Sequence, residues 1–224
     1  MCAIFGSFDT SMFEVLYEAN KQRGNFASSI VSISPDDQFI RKKKGDINFD
    51  KYTYEPQTDY YLGHVQAPTS ANRKWNYDTS HPFESMSWLV SHNGVLTNHK
   101  KLKKQYCNFL ENQVDTAVIV NLLEHFTQKV QVEEKRVVPQ KIIKKTLELL
   151  TGTFALSIVH CDSNEVFIAR SGSILHYNNK GDYSTMCGYG FKELPEGTIM
   201  KLNNKTKRWN KACKFTFNSP FSFV

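Results

Sequence analysis

A cysteine stands directly behind the initiator methionine, at position 2 of 224. A side chain that small permits removal of Met1, and the chain would then begin with Cys2. Such a terminus joins a thiol of reference pKa about 8.5 to an α-amine of about 7.7–8.0. Nucleophile and base would then come in one residue. The same position also reads as a small apolar residue opening a strand. The remaining chemistry-bearing residues carry two readings each or only a local one. Asn93-Gly94 is a strong turn signal. Asp115 precedes an apolar run and reads as a helix N-cap. Arg23 reads as a cation at a helix C-terminus, favoured there by the dipole, and Thr69 as a loop threonine.

These residues need elements to hold them. Residues 2–6 read as a short strand, and Ser11 to Gln22 as an amphipathic helix with Met12, Phe13, Leu16, Tyr17 and Ala19 on its apolar side, stopped by Gly24. Residues 30–33 and 60–66 read as strands. Met86, Trp88 and Val90 alternate with Ser87, Leu89 and Ser91 in a strand expected to end at His92-Asn93-Gly94. Two helices are expected next, from Asp115 to about Thr127 and from Pro139 to Thr151, the second closed by Gly152. Short strands at 153–160, 166–170, 174–177 and 199–202 complete the chain. Strands in runs, rather than alternating with helices, indicate α+β. The polar stretch Ser70 to Ser80 reads as a long loop that could cover a site.

Length and composition bound the function. A chain of 224 residues with 40% hydrophobic residues can bury a core as one domain, and no apolar run approaches the roughly 18 residues of a membrane span. The first fifteen residues contain Asp9 and Glu14 but no Lys or Arg, unlike a signal or transit peptide. Five cysteines, odd in number and without a Cys-x-x-Cys pair, argue against a disulfide framework and a zinc site, and fit a cytoplasmic protein. The net charge is +6, with basic clusters at 41–44, 100–104 and 144–145. Nucleic acid is disfavoured as a partner without being excluded, because aromatics do not interleave with these lysines and no recognition signature accompanies them.

Several segments occur in one order: Met-Cys-Ala-Ile-Phe-Gly at the start, Gln22-Arg23-Gly24, residues 62–69 (Leu-Gly-His-Val-Gln-Ala-Pro-Thr), His81-Pro82-Phe83, residues 91–98 around His92-Asn93-Gly94, Asp115-Thr116, residues 152–155, 169–173 and 194–198. This set resembles the glutaminase domain of class II glutamine amidotransferases. Within that family it is similar to the domains of glutamine phosphoribosylpyrophosphate amidotransferase and glucosamine-6-phosphate synthase. The resemblance implies a four-layer αββα sandwich of the N-terminal-nucleophile hydrolase type spanning 1–224 as a single domain, without a synthase domain. It implies that Cys2 attacks the side-chain amide of glutamine and that a thioester is hydrolysed to glutamate and ammonia. Asn93 and the Gly94 N–H would bind the oxyanion. Asp115 would anchor the α-amine, Thr69 and Gln66 would contact substrate, and Arg23 would support the terminal amine from behind. His64, read as opening a loop, and His92, before a turn, are assigned structural roles.

The sequence also departs from the family pattern. Gln66 stands where relatives carry an arginine for the α-carboxylate, Ala67 where an aromatic is usual, Phe26 for an aspartate and Ala3 for a glycine. Neutral donors are worth roughly half of a charged one, so weak glutamine binding is expected unless Arg73 or Lys74 supplies the cation. No metal and no organic cofactor is required by this chemistry. The partners expected are glutamine and a separate synthase or acceptor subunit. The alternatives are an N-terminal-nucleophile amidohydrolase acting on a different amide, and a non-catalytic binding or regulatory relative.

Overall fold

The computed structural model describes residues 2–68, 74–107, 114–133, 136–188 and 190–217. Strand β1 (Ala3–Ser7) leads into helix α1 (Thr10–Lys21), whose start is fixed by the Asp9 carboxylate accepting the Met12 N–H at 2.8 Å. Five strands follow: β2 (Ala27–Ile33), β3 (Gln38–Lys44), β4 (Tyr60–Gln66), β5 (Phe83–Glu84) and β6 (Trp88–Leu96). Next come the helices α2 (His99–Tyr106), α3 (Asp115–Val132) and α4 (Pro139–Leu147). The chain then returns through β7 (Gly152–His160), β8 (Glu165–Ser171), β9 (His176–Tyr177), β10 (Tyr183–Ser184), β11 (Lys192–Glu193), β12 (Thr198–Asn203) and β13 (Arg208–Lys214).

The strands form two antiparallel sheets, one ordered β11-β9-β10-β1-β4-β2-β3 and the other β13-β12-β8-β7-β6-β5. Side-chain alternation sorts the apolar residues into three cores. Ala3, Phe5, Tyr61 and Val65 of the first sheet pack on Phe13, Leu16 and Tyr17 of α1. From the opposite face of the same strands, Ile4, Tyr60 and Leu62 meet Leu89, Ala155, Val159 and Ile168 of the second sheet. The outer face of that sheet, with Trp88, Val90, Leu156, Ile158 and Phe167, packs on α3 and α4 through Val118, Leu122, Ile143 and Leu147. The layers are therefore helix, sheet, sheet, helices, the expected αββα sandwich. Each fully buried large apolar side chain stabilises it by about 1.5–3 kcal/mol. The buried Trp88 indole keeps its N–H satisfied by donating to Thr127 Oγ1 at 2.9 Å.

Four local expectations are corrected. Asn93-Gly94 is no turn, because β6 runs on to Leu96 in register with β7, Asn93 opposite Ala155 and Gly94 opposite Phe154. The expected helix 139–151 stops at Leu147, and Gly152 opens β7 instead of closing a helix. A Cβ on Gly152 would lie 2.3 Å from the Val95 carbonyl oxygen, so that glycine permits a close strand approach. The expected strand 174–177 is reduced to His176–Tyr177. The N-cap of α3 is Val114, with Asp115 the first helical residue. The basic run 41–44 lies within the edge strand β3, and the lysines at 100–104 lie on α2.

Candidate active site

Cys2 enters the central strand of the first sheet, since β1 lies between β4 and β10. It is partly buried. Arg23 follows the end of α1 and donates from Nε to the Cys2 carbonyl at 3.1 Å, while its Nη1 rests 3.8 Å from Met186 Sδ. It therefore grips the backbone of the nucleophile candidate from behind. Across the sandwich, β6 brings up Asn93, which is 6% exposed, and Gly94.

A cavity of about 480 Å³ is lined by Cys2, Arg23, Ala67, Pro68, Asn93, Gly94, Val95, Thr153 and Gly172–Ile174. Its Gly172–Ile174 corner is braced from outside the cavity. Arg170 donates to the Ser173 carbonyl at 3.2 Å and pairs with Glu193 at 2.6 Å, and the Gly172 N–H donates to Glu196 at 2.9 Å.

A second cavity, of about 890 Å³, is lined by Gly94, Val95, Leu96, His99, Val114 and Asp115 on one side and Lys74, Trp75, Asn76 and Thr79 on the other. Gly94 and Val95 line both spaces. The Asp115 carboxylate is tightly engaged: Oδ2 accepts the Leu96 N–H at 3.0 Å, Oδ1 accepts the Thr116 N–H at 2.8 Å, and His92 Nδ1 lies 3.7 Å from Oδ1. Burial pushes its pKa upward, but the His92 hydrogen bond and charge, with the two backbone donors, outweigh this and hold it at about 2. At neutral pH it presents a fixed negative charge.

Beneath the two cavities lies a buried network that sequence reasoning missed. His92 Nδ1 and His81 Nε2 both meet Thr116 Oγ1, at 3.1 and 3.0 Å. His64 stacks on His81 with ring centroids 4.0 Å apart and reaches the His92 carbonyl at 3.3 Å. His64 therefore lies within β4 rather than opening a loop. The sequence signal for the network was that His64, His81, His92 and Thr116 all fall in the quoted segments, with no spacing to show that they meet.

Of the residues read from sequence, Cys2, Arg23, Asn93 and Gly94 converge on one cavity, and Asp115 lies beyond the shared Gly94–Val95 wall. Gln66 is 2% exposed at the end of β4, and its carbonyl accepts the Phe26 N–H at 2.9 Å. Ala67 and Pro68 line the first cavity at that point, whereas Gln66 does not. Thr69 and Arg73 lie outside the described residues. Lys74 is exposed and lines the second cavity.

Residues 78–182 match the family model of a glutamine amidotransferase domain. Over that span the chain is similar to a glutamine amidotransferase domain. The matched span contains Asn93, Gly94 and Asp115, and leaves Cys2, Arg23, Gln66 and Thr69 outside it. The sequence is 28% identical over 212 residues to the isomerizing glutamine–fructose-6-phosphate aminotransferase of Staphylococcus epidermidis, covering 90% of this chain and 33% of the relative. It is 30% identical over 209 residues to the enzyme of the same name from Listeria innocua, covering 88% of this chain and 33% of the relative. The chain thus spans about a third of the length of these curated relatives.

Among solved structures, the B. subtilis glutamine phosphoribosylpyrophosphate amidotransferase complexed with ADP and GMP superposes with a TM-score of 0.74 at 18% identity, over 97% of this chain and 50% of that one. A predicted glutamine amidotransferase from Pseudomonas aeruginosa PA01 gives a TM-score of 0.51 at 11% identity, over 95% of both chains. At these identities the likeness bears on fold, and the chain shares the sandwich of those enzymes. The expected resemblance to class II glutamine amidotransferases of the N-terminal-nucleophile type holds. Among the described residues, no helix of the domain is long and apolar enough to cross a membrane.

Proposed function

We propose that the chain hydrolyses the side-chain amide of glutamine, with Cys2 as the nucleophile, and releases ammonia for a separate synthase or acceptor subunit. The observation that carries this reading is that one cavity gathers Cys2 with Asn93 and Gly94, about ninety residues away in sequence and on the opposing sheet. With Met1 removed, the α-amine of Cys2 takes the thiol proton and the sulfur attacks the amide carbon. The Asn93 side-chain amide and the Gly94 N–H receive the developing oxyanion, and the protonated nitrogen departs as ammonia. Water, activated by the same amine, then opens the thioester to give glutamate. Arg23, by holding the Cys2 carbonyl, keeps sulfur and amine aimed into the cavity.

Two cavities meeting at Gly94–Val95 suit a substrate with its reactive amide at one end and its α-carbon at the other. The ionised Asp115 supplies the partner for the α-ammonium. Lys74, on the opposite wall, supplies the cation for the α-carboxylate that an arginine at position 66 would otherwise provide. For the acceptor subunit, the supporting feature is the cavity rim, where Val95 and Ile174 are 66% and 56% exposed. A reducing compartment, the cytosol, keeps the Cys2 thiol free, and the steps above use no metal or organic cofactor.

The test is the intact mass of the chain with and without diazo-oxo-norleucine, a glutamine-like electrophile, followed by mapping of the adduct and assay of Cys2→Ala. Loss of Met1 with one adduct on Cys2, and loss of turnover in Cys2→Ala with the fold retained, are expected. Turnover surviving in Cys2→Ala refutes the mechanism. The burial of Gln66 away from the cavity favours one other reading, hydrolysis of an amide that lacks an α-carboxylate. A substrate panel with such an amide preferred over glutamine would establish that alternative.

A further inference from the structure

Lys42 belongs to none of the groups so far assigned to the chemistry, yet it is treated unlike the other lysines of its strand. It lies on the edge strand β3 of the first sheet, and its side chain is only 3% exposed. The ammonium reaches across the sandwich to pair with Glu84 of β5, on the edge of the second sheet, at 2.8 Å. It also lies 4.1 Å from the centroid of the Tyr77 ring and donates to the Tyr77 carbonyl at 3.4 Å. Burial lowers its pKa, and Glu84 opposes that shift. On a strand whose Arg41 and Lys43 remain exposed, the cost of burying this amine is offset by its contacts with Glu84 and Tyr77.

What it fixes is the segment 74–80. This segment is a compact turn: the Asn76 carboxamide oxygen accepts the Asp78 N–H at 2.7 Å, the Ser80 hydroxyl donates to the Asn76 carbonyl at 2.8 Å, and the Ser80 N–H donates to the Tyr77 carbonyl at 3.1 Å. It has two faces. Tyr77 and Asp78 line a cavity of about 310 Å³ together with Lys42 and Glu84, whereas Lys74, Trp75, Asn76 and Thr79 line the larger cavity opposite Asp115. A contact that pins the back of this turn therefore sets the distance between the wall carrying Lys74 and the wall carrying Asp115.

We propose that Lys42 is a positioning residue for substrate binding, holding the 74–80 wall at the separation from Asp115 that the α-carbon end of the substrate requires. The statement rests on the glutaminase reading for the identity of the substrate, but its structural content does not. It assigns recognition, rather than the bond-breaking step, to a side chain on the far edge of the other sheet.

Lys42→Met and Lys42→Arg test it with three readouts: steady-state kinetics on glutamine, alkylation of Cys2 by iodoacetamide, and hydrogen–deuterium exchange of the amides of 74–80. In Lys42→Met, KM is expected to rise about fivefold to tenfold with kcat within about twofold, the scale of losing one buried cation contact. Exchange in 74–80 should quicken while β4 and β6 keep their protection, and iodoacetamide, which needs no wall, should react at the wild-type rate. Lys42→Arg should restore most of the KM, because a guanidinium also pairs with Glu84 and stacks on Tyr77. Unchanged KM and exchange, a fall in kcat alone, or loosening spread evenly over β4 and β6 would each overturn the proposal. A wild-type chain that takes iodoacetamide on Cys2 but neither turns over glutamine nor reacts with its analogue overturns the glutaminase reading, and the exchange measurement still decides the role of Lys42.

Discussion

Adding one methyl group at Gly94 should damage both the fold and the site. The Cβ of Gly94→Ala would lie 2.0 Å from the carbonyl oxygen of Thr153, 2.7 Å from its carbonyl carbon and 2.8 Å from His92 Nε2. The first two obstacles are backbone of β7, which is clamped between β6 and β8 and cannot rotate aside. Restoring an ordinary contact near 3.4 Å requires the strands to part locally by about 1.4 Å. Such overpacking, with strand hydrogen bonds lost, costs about 2–4 kcal/mol. For a chain of this size that corresponds to a fall in Tm of roughly 5–12 °C.

The same movement shifts the Asn93–Gly94 edge of the cavity relative to Cys2, and a displacement of about 1 Å is worth about 10²-fold in rate. Thermal denaturation by circular dichroism, together with ammonia release from glutamine, measures both effects. A turn at Asn93-Gly94 would lose only about 1 kcal/mol on the same substitution. A Tm within about 2 °C of wild type with unchanged turnover would therefore refute the strand register and the argument built on it.

Two further substitutions separate stability from chemistry. Asn93→Ala should lower kcat by about 10²–10³ and leave KM near wild type, and an equal or greater effect on KM would remove Asn93 from the oxyanion site. Asp115 should show itself in acid. Its carboxyl is held at about 2 against an ordinary 3.8, so the stabilisation is complete above the unfolded value and is lost as pH falls through the folded one, between about pH 5 and pH 2. The amount is about 2 kcal/mol. Asp115→Asn should therefore narrow the difference between urea midpoints at pH 7 and pH 3, and an unaltered difference would show that another group carries the acid limb.

The run Tyr60 to Gln66 made β4 readable, as expected of a strand buried on both faces, and the alternation of Met86, Trp88 and Val90 with Ser87, Leu89 and Ser91 made the start of β6 readable. The end of β6 was misread because Asn-Gly favours a turn locally, whereas nine residues of pairing with β7 override that preference. The edge strands β3 and β13 carry Arg, Lys and Asn where a strand pattern wants apolar residues, and only their pairing to β2 and β12 defines them. Helix α2 has Leu102 as its one buried residue, too little to show periodicity. For the site, the family resemblance supplied Cys2, Asn93 and Gly94 together, whereas spacing alone did not. No local pattern could reveal that His64, His81, His92 and Thr116 meet, since β4, β6, α3 and the segment before β5 must first be stacked. Gln66 was read by its place in a motif, and its burial depends on how β2 and β4 pair.

Strand β1 also ties the order of synthesis to competence. The residues that carry the nucleophile are made first, yet their partners come late. Phe5 pairs with Ser184, and the Ile4 N–H donates to Thr185 Oγ1, 181 residues further on, while β4 on the other side arrives after about sixty. Contacts of such separation close the longest loops in the chain and form after the local ones. A nascent chain that has not yet delivered Thr185 holds its cysteine on one strand neighbour instead of two. Assembly of the cavity around Cys2 would thus wait until residue 185 has been made, a delay set by strand order alone.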